Sequence, residues 1–448
     1  MLATDPARTI SAGLRGHDNA LGLIRLVLAL AVLVSHTFPL GGFGHDPGSG
    51  ITKGQANLGT LSVAGFFAIS GYLITKSGMS ADIVQFLWRR VLRIFPAFLL
   101  ALLLAAFVLG PIIWSLDGHS LGAYFARGAT SPWHYLLSNW NLHVDTWGIL
   151  DIFQNTTPYG QATHASVING SMWTLGYEWD CYMMIALLLL AGVLTKARPI
   201  VVVVAGVIFA AQIVDLVSPG TMATVFPPLG SVQFSYLSYP FAVGAVFAVY
   251  SRSIPMNARF GIAAGVLLVW TLLNGGYGVI GVPAGVYFVL WLGSAIPGRL
   301  RTIGQKNDIS YGVYLYAFPV QQTLAYFGLY KLGVIPMILG AAIVVLGISW
   351  LSWRFLESPA MSLKNWGPGR GFAYWVEKLR RRPTSTPETR PAPSAEAEPA
   401  AQPATAIAPV IPLAHTAHAN HAHAPHIVTA ELSQLPRTAG AAPASPPA

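Results

Sequence analysis

The sequence predicts an all-α integral membrane protein of about ten transmembrane helices, with both termini cytoplasmic, one long extracytoplasmic loop and a disordered C-terminal tail. Three observations carry this. Only 10% of the 448 residues are charged against 54% hydrophobic, whereas an average soluble domain carries roughly 25% charged residues, so there are too few charges to cover a water-facing surface. Apolar segments of roughly 20 residues, enough to cross a bilayer, recur along most of the chain. The basic residues also sort to alternate connections. Sixteen, from Arg8 and Arg15 to Lys364 and Arg370, lie in segments that ten helices would leave inside, and only Lys53, Arg127 and Lys331 lie outside. That asymmetry orients the chain and accounts for the net charge of +9 without nucleic acid; a multi-pass protein of the cell's inner (plasma) membrane is expected.

Residues 1–19 form a cytoplasmic N-terminal segment. The apolar run Leu21 to Leu40 is long enough to span, and no small-residue cleavage site followed by a soluble domain comes after it, so it is expected to stay as the first helix. Helices near 58–75 and 90–113 follow. The next connection, 114–171, is much longer than the rest and carries Trp133, Trp140, Trp147, Tyr135, Tyr159, His134, His143 and His164. Such a mixture could line a sugar site by stacking and hydrogen bonding, or form an aromatic belt at the outer interface. Seven further helices are placed near 172–194, 199–217, 236–250, 260–274, 279–296, 309–328 and 334–354, completing a membrane domain of residues 20–365. Residues 366–448 make a Pro/Ala/His-rich cytoplasmic tail, which from about Arg380 has no apolar periodicity and cannot offset the entropy of ordering. Its closely spaced histidines, from His415 to His426, fit a low-complexity tract or a loose metal-collecting one. With Cys181 as the only cysteine, no intrachain disulfide, iron–sulfur cluster or multi-thiolate zinc site can form, and no specific metal site is expected.

Charges inside a bilayer are costly unless paired or hydrated, so each is a candidate for function. Arg25 lies one turn into the first helix, and His36 follows eleven residues later, about 16 Å along the axis. A snorkelling arginine and a histidine bonded to a neighbouring helix are the plainer readings. Arg90 and Arg93, in Arg90-Val91-Leu92-Arg93-Ile94-Phe95-Pro96, are three apart and share a helix face at the cytoplasmic start of the third helix. Guanidinium forks suit bidentate phosphate binding, and positive-inside anchoring is the alternative. The fourth helix opens with Trp173-Thr174-Leu175-Gly176-Tyr177-Glu178-Trp179-Asp180. A carboxylate there could orient or charge-pair a histidine base, though acids also favour helix N-termini for dipole reasons, the reading preferred for Asp180.

Together these segments resemble the membrane-bound acyltransferase family 3, whose members O-acylate lipopolysaccharide, other surface glycans, Nod factors and macrolides. Arg25 to His36 is similar to the family's first helix, and Phe66-Phe67-Ala68-Ile69-Ser70-Gly71-Tyr72-Leu73-Ile74 to its FFxxSGFLI segment. The Arg90 to Pro96 run matches RxxRIxP, Trp173 to Glu178 resembles WSLxxE, Ser310-Tyr311-Gly312-Val313-Tyr314-Leu315-Tyr316 resembles SYxxYL, and Arg354 to Pro359 the closing RFxExP. The motifs appear in the family's order over about residues 15–365. Two positions depart from it: Ala64 stands where an aspartate often precedes the paired phenylalanines, and Ala317 where a histidine often follows the tyrosine–leucine segment, so neither neighbourhood is given a catalytic role.

The resemblance implies acyl-CoA, most simply acetyl-CoA, entering from the cytoplasm as donor substrate, with Arg25, Arg90 and Arg93 on its phosphates. His36 would then act as general base on an acceptor hydroxyl or carry the acyl group transiently, and Glu178, near the outer face, would stabilise protonated His36 or position the acceptor. The acceptor class is an extracytoplasmic carbohydrate or glycolipid. Some relatives carry a fused hydrolase-like extracytoplasmic domain; here transfer is expected to be completed in the membrane domain or by a separate polysaccharide-export or acyl-relay partner. A transporter of a small anionic or glycolipid substrate is the alternative class, disfavoured because no inverted repeat or paired broken helices are visible. A lipid-linked glycosyltransferase is disfavoured because the outer loops offer only scattered acids such as Asp46, Asp117, Asp145 and Asp151.

Overall fold

The computed structural model describes residues 9–16, 18–226 and 231–380. Ten helices coincide with the ten predicted segments: α1 Leu21–Gly41, α2 Leu58–Gly78, α3 Ile83–Leu116, α4 Thr174–Leu190, α5 Pro199–Val217, α6 Val232–Val249, α7 Ala258–Asn274, α8 Tyr277–Ala295, α9 Ser310–Tyr326 and α10 Val334–Asn365. Seven of them are long and apolar enough to cross a membrane. The other three, α4, α7 and α9, have 17 residues each, about 25 Å of helix against a hydrocarbon core of ~30 Å. Among the described residues there is no strand, only an isolated bridge between Thr9 and Pro255. The chain is therefore an all-α, multi-pass membrane protein.

Local chemistry sets the helix ends. Asn57 and Thr60 form a reciprocal capping box at the start of α2, with backbone N–H to side-chain oxygen distances of 2.8 Å both ways. Asp82 accepts from the Val84 and Gln85 amides at 2.9 and 3.0 Å, which is why α3 begins at Ile83, earlier than the apolar run alone indicates. The central helix is α2, 78% of whose apolar window is buried, against 22% for the peripheral α10. Its closest neighbour is α6: a Cβ on Gly71 would lie 2.0 Å from the Phe241 carbonyl oxygen, and one on Gly244 2.3 Å from that of Ala68. Small residues let two backbones meet, as is usual between membrane helices.

The long connection between α3 and α4 is a folded cap with short helices Leu121–Tyr124, Pro132–Asn139 and Pro158–Thr163. Tyr124, Tyr135, Ile149, Phe153 and Tyr159 are buried in it, while Trp133 and Trp140 are exposed. The two ends of the described chain pack on the same face of the bundle. The Ile10 and Ser11 amides donate to the Ile254 and Ser251 carbonyls in the connection after α6, and the Phe372 amide donates to Asp82 at the start of α3. The segment expected as tail thus stays helical through Phe372–Arg380; its Pro/Ala/His-rich remainder, with the histidine tract, lies outside the described residues.

Candidate active site

Eleven residues are close to three helical turns, so α1 carries Arg25 and His36 on one face about 16 Å apart. His36 is fully buried, and its ring meets Phe318 of α9 edge-on at 5.3 Å. Among the described residues, neither of its ring nitrogens has a hydrogen-bond partner. The backbone around it is clamped on both sides. Ser35 Oγ donates to Asp46 at 2.6 Å and accepts from the Gly59 amide at 3.0 Å. Thr37 Oγ1 donates to the Leu33 carbonyl at 2.9 Å, and Gln321 Nε2 donates to both, at 2.7 and 2.8 Å. Burial holds the Asp46 carboxyl above its ordinary range, opposed by the bond from Ser35.

At the other end of that face the charges converge. Arg25 and Arg93, from α1 and α3, meet the same carboxylate, Asp308, at 3.7 and 3.5 Å, and Arg93 faces Glu357 at 3.7 Å. The Arg93 guanidinium also lies 5.7 Å from the ring centres of Tyr311 and Trp353. Burial and pairing set Arg25 and Arg93 apart from interfacial basic anchors. Among the described residues none of the three Arg93 guanidinium nitrogens finds a hydrogen-bond partner, so the two carboxylates balance its charge while its donors stay unused. Arg90, one turn toward the start of α3, is half-buried with its guanidinium 5.9 Å from the Phe86 ring centre.

Glu178 belongs to this cluster of arginines and carboxylates. Its Oε1 accepts from Ser70 at 3.0 Å and from Tyr182 at 2.5 Å. The level follows from α2: Gly59 is tied to Ser35, and Ser70 is eleven residues further along, about 16 Å deeper. That is the depth of Arg25, not of His36. Expected near the outer face beside His36, Glu178 stands instead with the arginines, because α4 starts inside the bundle. Residues 167–174 run inward along α9: Gln322 Nε2 donates to the Val167 carbonyl at 3.1 Å, Asn169 Nδ2 to that of Leu315 at 2.8 Å, the Tyr314 hydroxyl to that of Ser171, and Thr174 meets Tyr314 at 2.8 Å. Residues 167–172 are buried throughout, the condition under which irregular backbone is tolerated at membrane depth.

The sequence singles out five site residues, and the structure gathers four of them, Arg25, Arg90, Arg93 and Glu178, toward one end of the bundle, with His36 alone near the other. Asp308, Glu357, Ser70, Tyr182 and Gln321 escape sequence reasoning. Glu357 is legible as a motif residue without a role, and Asp308 only as a charge next to an apolar helix. The outer-loop His143 lies 3.4 Å from Asp180, with both side chains part-exposed. Among the described residues no three potential metal ligands cluster.

A family model described as an acyltransferase domain matches residues 18–354. The chain is 30% identical over 360 residues to a protein named O-acetyl transferase from Shigella phage Sf6, covering 77% of this chain and 99% of that protein. It is 26% identical over 366 residues to nodulation protein 10 of Rhizobium leguminosarum bv. viciae, covering 78% and 95%. No solved structure matches it.

Proposed function

Because the chain belongs to acyltransferase family 3, we propose that it moves an acyl group, acetyl in the simplest case, from cytoplasmic acyl-CoA to a hydroxyl of an extracytoplasmic or lipid-linked carbohydrate. The chain is an acyltransferase of a kind other than aminoacyl; donor, acceptor and direction are the proposal. One observation carries it: α1 places, on a single face and about 16 Å apart, Arg25 in an arginine–carboxylate cluster with unused guanidinium donors and a buried histidine with two unused ring nitrogens.

In this reading Arg25, Arg90 and Arg93 bind the donor's phosphates at the inner face. Arg93 supplies a planar fork whose hydrogen-bond donors are free, and Glu178 and Asp308 keep the cluster from accumulating unbalanced charge. The pantetheine arm runs along α1 past Ala29, Val32 and Leu33, bringing the thioester to His36. There a ring nitrogen takes the proton of the acceptor hydroxyl as its oxygen attacks the thioester carbonyl. The C–S bond breaks, and the CoA sulfur leaves with that proton. The same nitrogen could instead attack first and hand the acyl group on as an acyl-imidazole. Ten membrane spans, both termini in the cytoplasm and a plasma-membrane location complete the proposal, supported by the basic-residue asymmetry and by the packing of both chain ends on one face of the bundle. Mass spectrometry of the surface glycans of a deletion strain tests it: loss of one acyl mass per modified sugar is expected, and an unchanged glycan would overturn it.

A further inference from the structure

One turn beyond Phe318, α9 carries Gln321, turned toward α1, and Gln322, turned toward Val167. Both are fully buried. The side-chain nitrogens are committed, Gln321 to the Leu33 carbonyl and Thr37, Gln322 to the Val167 carbonyl. Since each of these partners accepts, the orientation of both amides is fixed, and it is the two carbonyl oxygens that have no hydrogen-bond partner. The hydroxyl of Tyr159, from the outer connection, is likewise buried and unpartnered. Its ring meets Phe318 edge-on at 6.0 Å, so the Phe318 ring has His36 and Tyr159 as neighbours and the two glutamines on the next turn.

Buried polar groups are nearly always satisfied, and leaving one unpaired is costly. Four residues with unused polar atoms, two in contact with the Phe318 ring and two on the next turn of α9, offer a ligand a set of hydrogen-bond partners. Their chemistry defines that ligand. Two amide oxygens accept only; a phenol and an imidazole can accept; the glutamines and the tyrosine carry no charge that would favour an anion. What fits is a neutral molecule offering several O–H donors at once.

We propose that Tyr159, Gln321 and Gln322 form with His36 the hydroxyl-binding site of a neutral, polyhydroxylated acceptor, a sugar ring of which one hydroxyl faces His36 while others fill the unused acceptors. The inference rests on the acyl-transfer reading of His36 and adds the residues that hold the acceptor. It also explains why the outer connection is folded into the bundle: it brings Tyr159 and the Val167 carbonyl to α9.

The test uses the full-length protein. Tyr159→Phe removes only the unpartnered hydroxyl, and Gln322→Met removes the amide at similar volume. Three quantities are measured: the rate at which producing cells acylate their surface glycan, the thermal unfolding midpoint of the purified protein, and its affinity for acetyl-CoA. Each variant is expected to acylate the glycan at least about ten-fold more slowly at equal abundance, as for one lost hydrogen bond to ligand. Acetyl-CoA affinity should stay the same, and the midpoint should stay equal or rise for Tyr159→Phe, because an unsatisfied buried hydroxyl is being removed. Acylation within two-fold of wild type in both variants would overturn the proposal. So would a slower rate accompanied by a lower midpoint in Tyr159→Phe, since the hydroxyl would then be structural. A wild-type protein that acylates the glycan without binding acetyl-CoA would remove the donor assignment alone, because the acceptor results are read on the glycan.

Discussion

Arg93 Nη2 stands 3.5 Å from Asp308 Oδ2, and among the described residues the guanidinium makes no hydrogen bond. Asp308 also meets Arg25, so one carboxylate on the connection before α9 ties α1 to α3.

Removing Asp308 should therefore weaken the fold more than a typical surface change. Breaking a buried pair from one side costs about 3–5 kcal/mol, because an uncompensated charge is left behind. Asp308→Ala is expected to lower the unfolding midpoint in detergent by many degrees, whereas Asp18→Ala, which removes an exposed carboxylate paired with the part-buried Arg301, should change it little. Equal midpoints would show the Asp308 pair to be energetically idle.

Arg93→Ala and Arg93→Lys should both weaken acetyl-CoA binding. Lysine restores the charge but not the planar fork, so its recovery should be partial. Calorimetric titration of purified protein checks this, and unchanged affinity in Arg93→Ala would reduce the residue to a helix tie.

Glu178→Gln keeps an oxygen for the bonds from Ser70 and Tyr182 and should leave the fold intact. Because Glu178 sits at the depth of Arg25, its kinetic effect should fall mainly on the KM for acyl-CoA. A change confined to the KM for the acceptor would place it functionally with His36 after all.

Gly71→Ala puts a methyl group where the Phe241 carbonyl stands and is expected to cost about 1–3 kcal/mol through forced separation of α2 and α6. Gly206→Ala, with nothing within 4 Å of the added carbon, serves as the neutral control. Thermal unfolding of both variants distinguishes a close crossing from a loose one.

Much of this architecture could be read from hydropathy, since each apolar segment is a helix, and the spacing of Arg25 and His36 already implies a shared face. What could not be read is depth. The start of α4 looks like a surface helix start, with aromatics and two carboxylates. Only the tertiary contacts of Val167, Asn169 and Ser171 with α9 reveal that it begins inside the bundle and carries Glu178 down to the arginines. Counter-ions were illegible for a related reason: Asp308 and Glu357 are distant in sequence from Arg25 and Arg93, and no local period links them. Gln321 and Gln322 are ordinary polar residues until burial and their unused oxygens are seen.

The central claim is that His36 handles the proton or the acyl group, and His36→Gln tests it most directly. An amide keeps hydrogen-bonding capacity but takes up no proton near neutral pH, and a lost general base costs about 10² to 10⁴ in rate. Acyl transfer to the surface glycan, measured at equal membrane abundance, is expected to fall at least about 100-fold while acetyl-CoA affinity and unfolding midpoint stay at wild-type values. Turnover above about a tenth of wild type would contradict the account and leave His36 as a packing residue against Phe318.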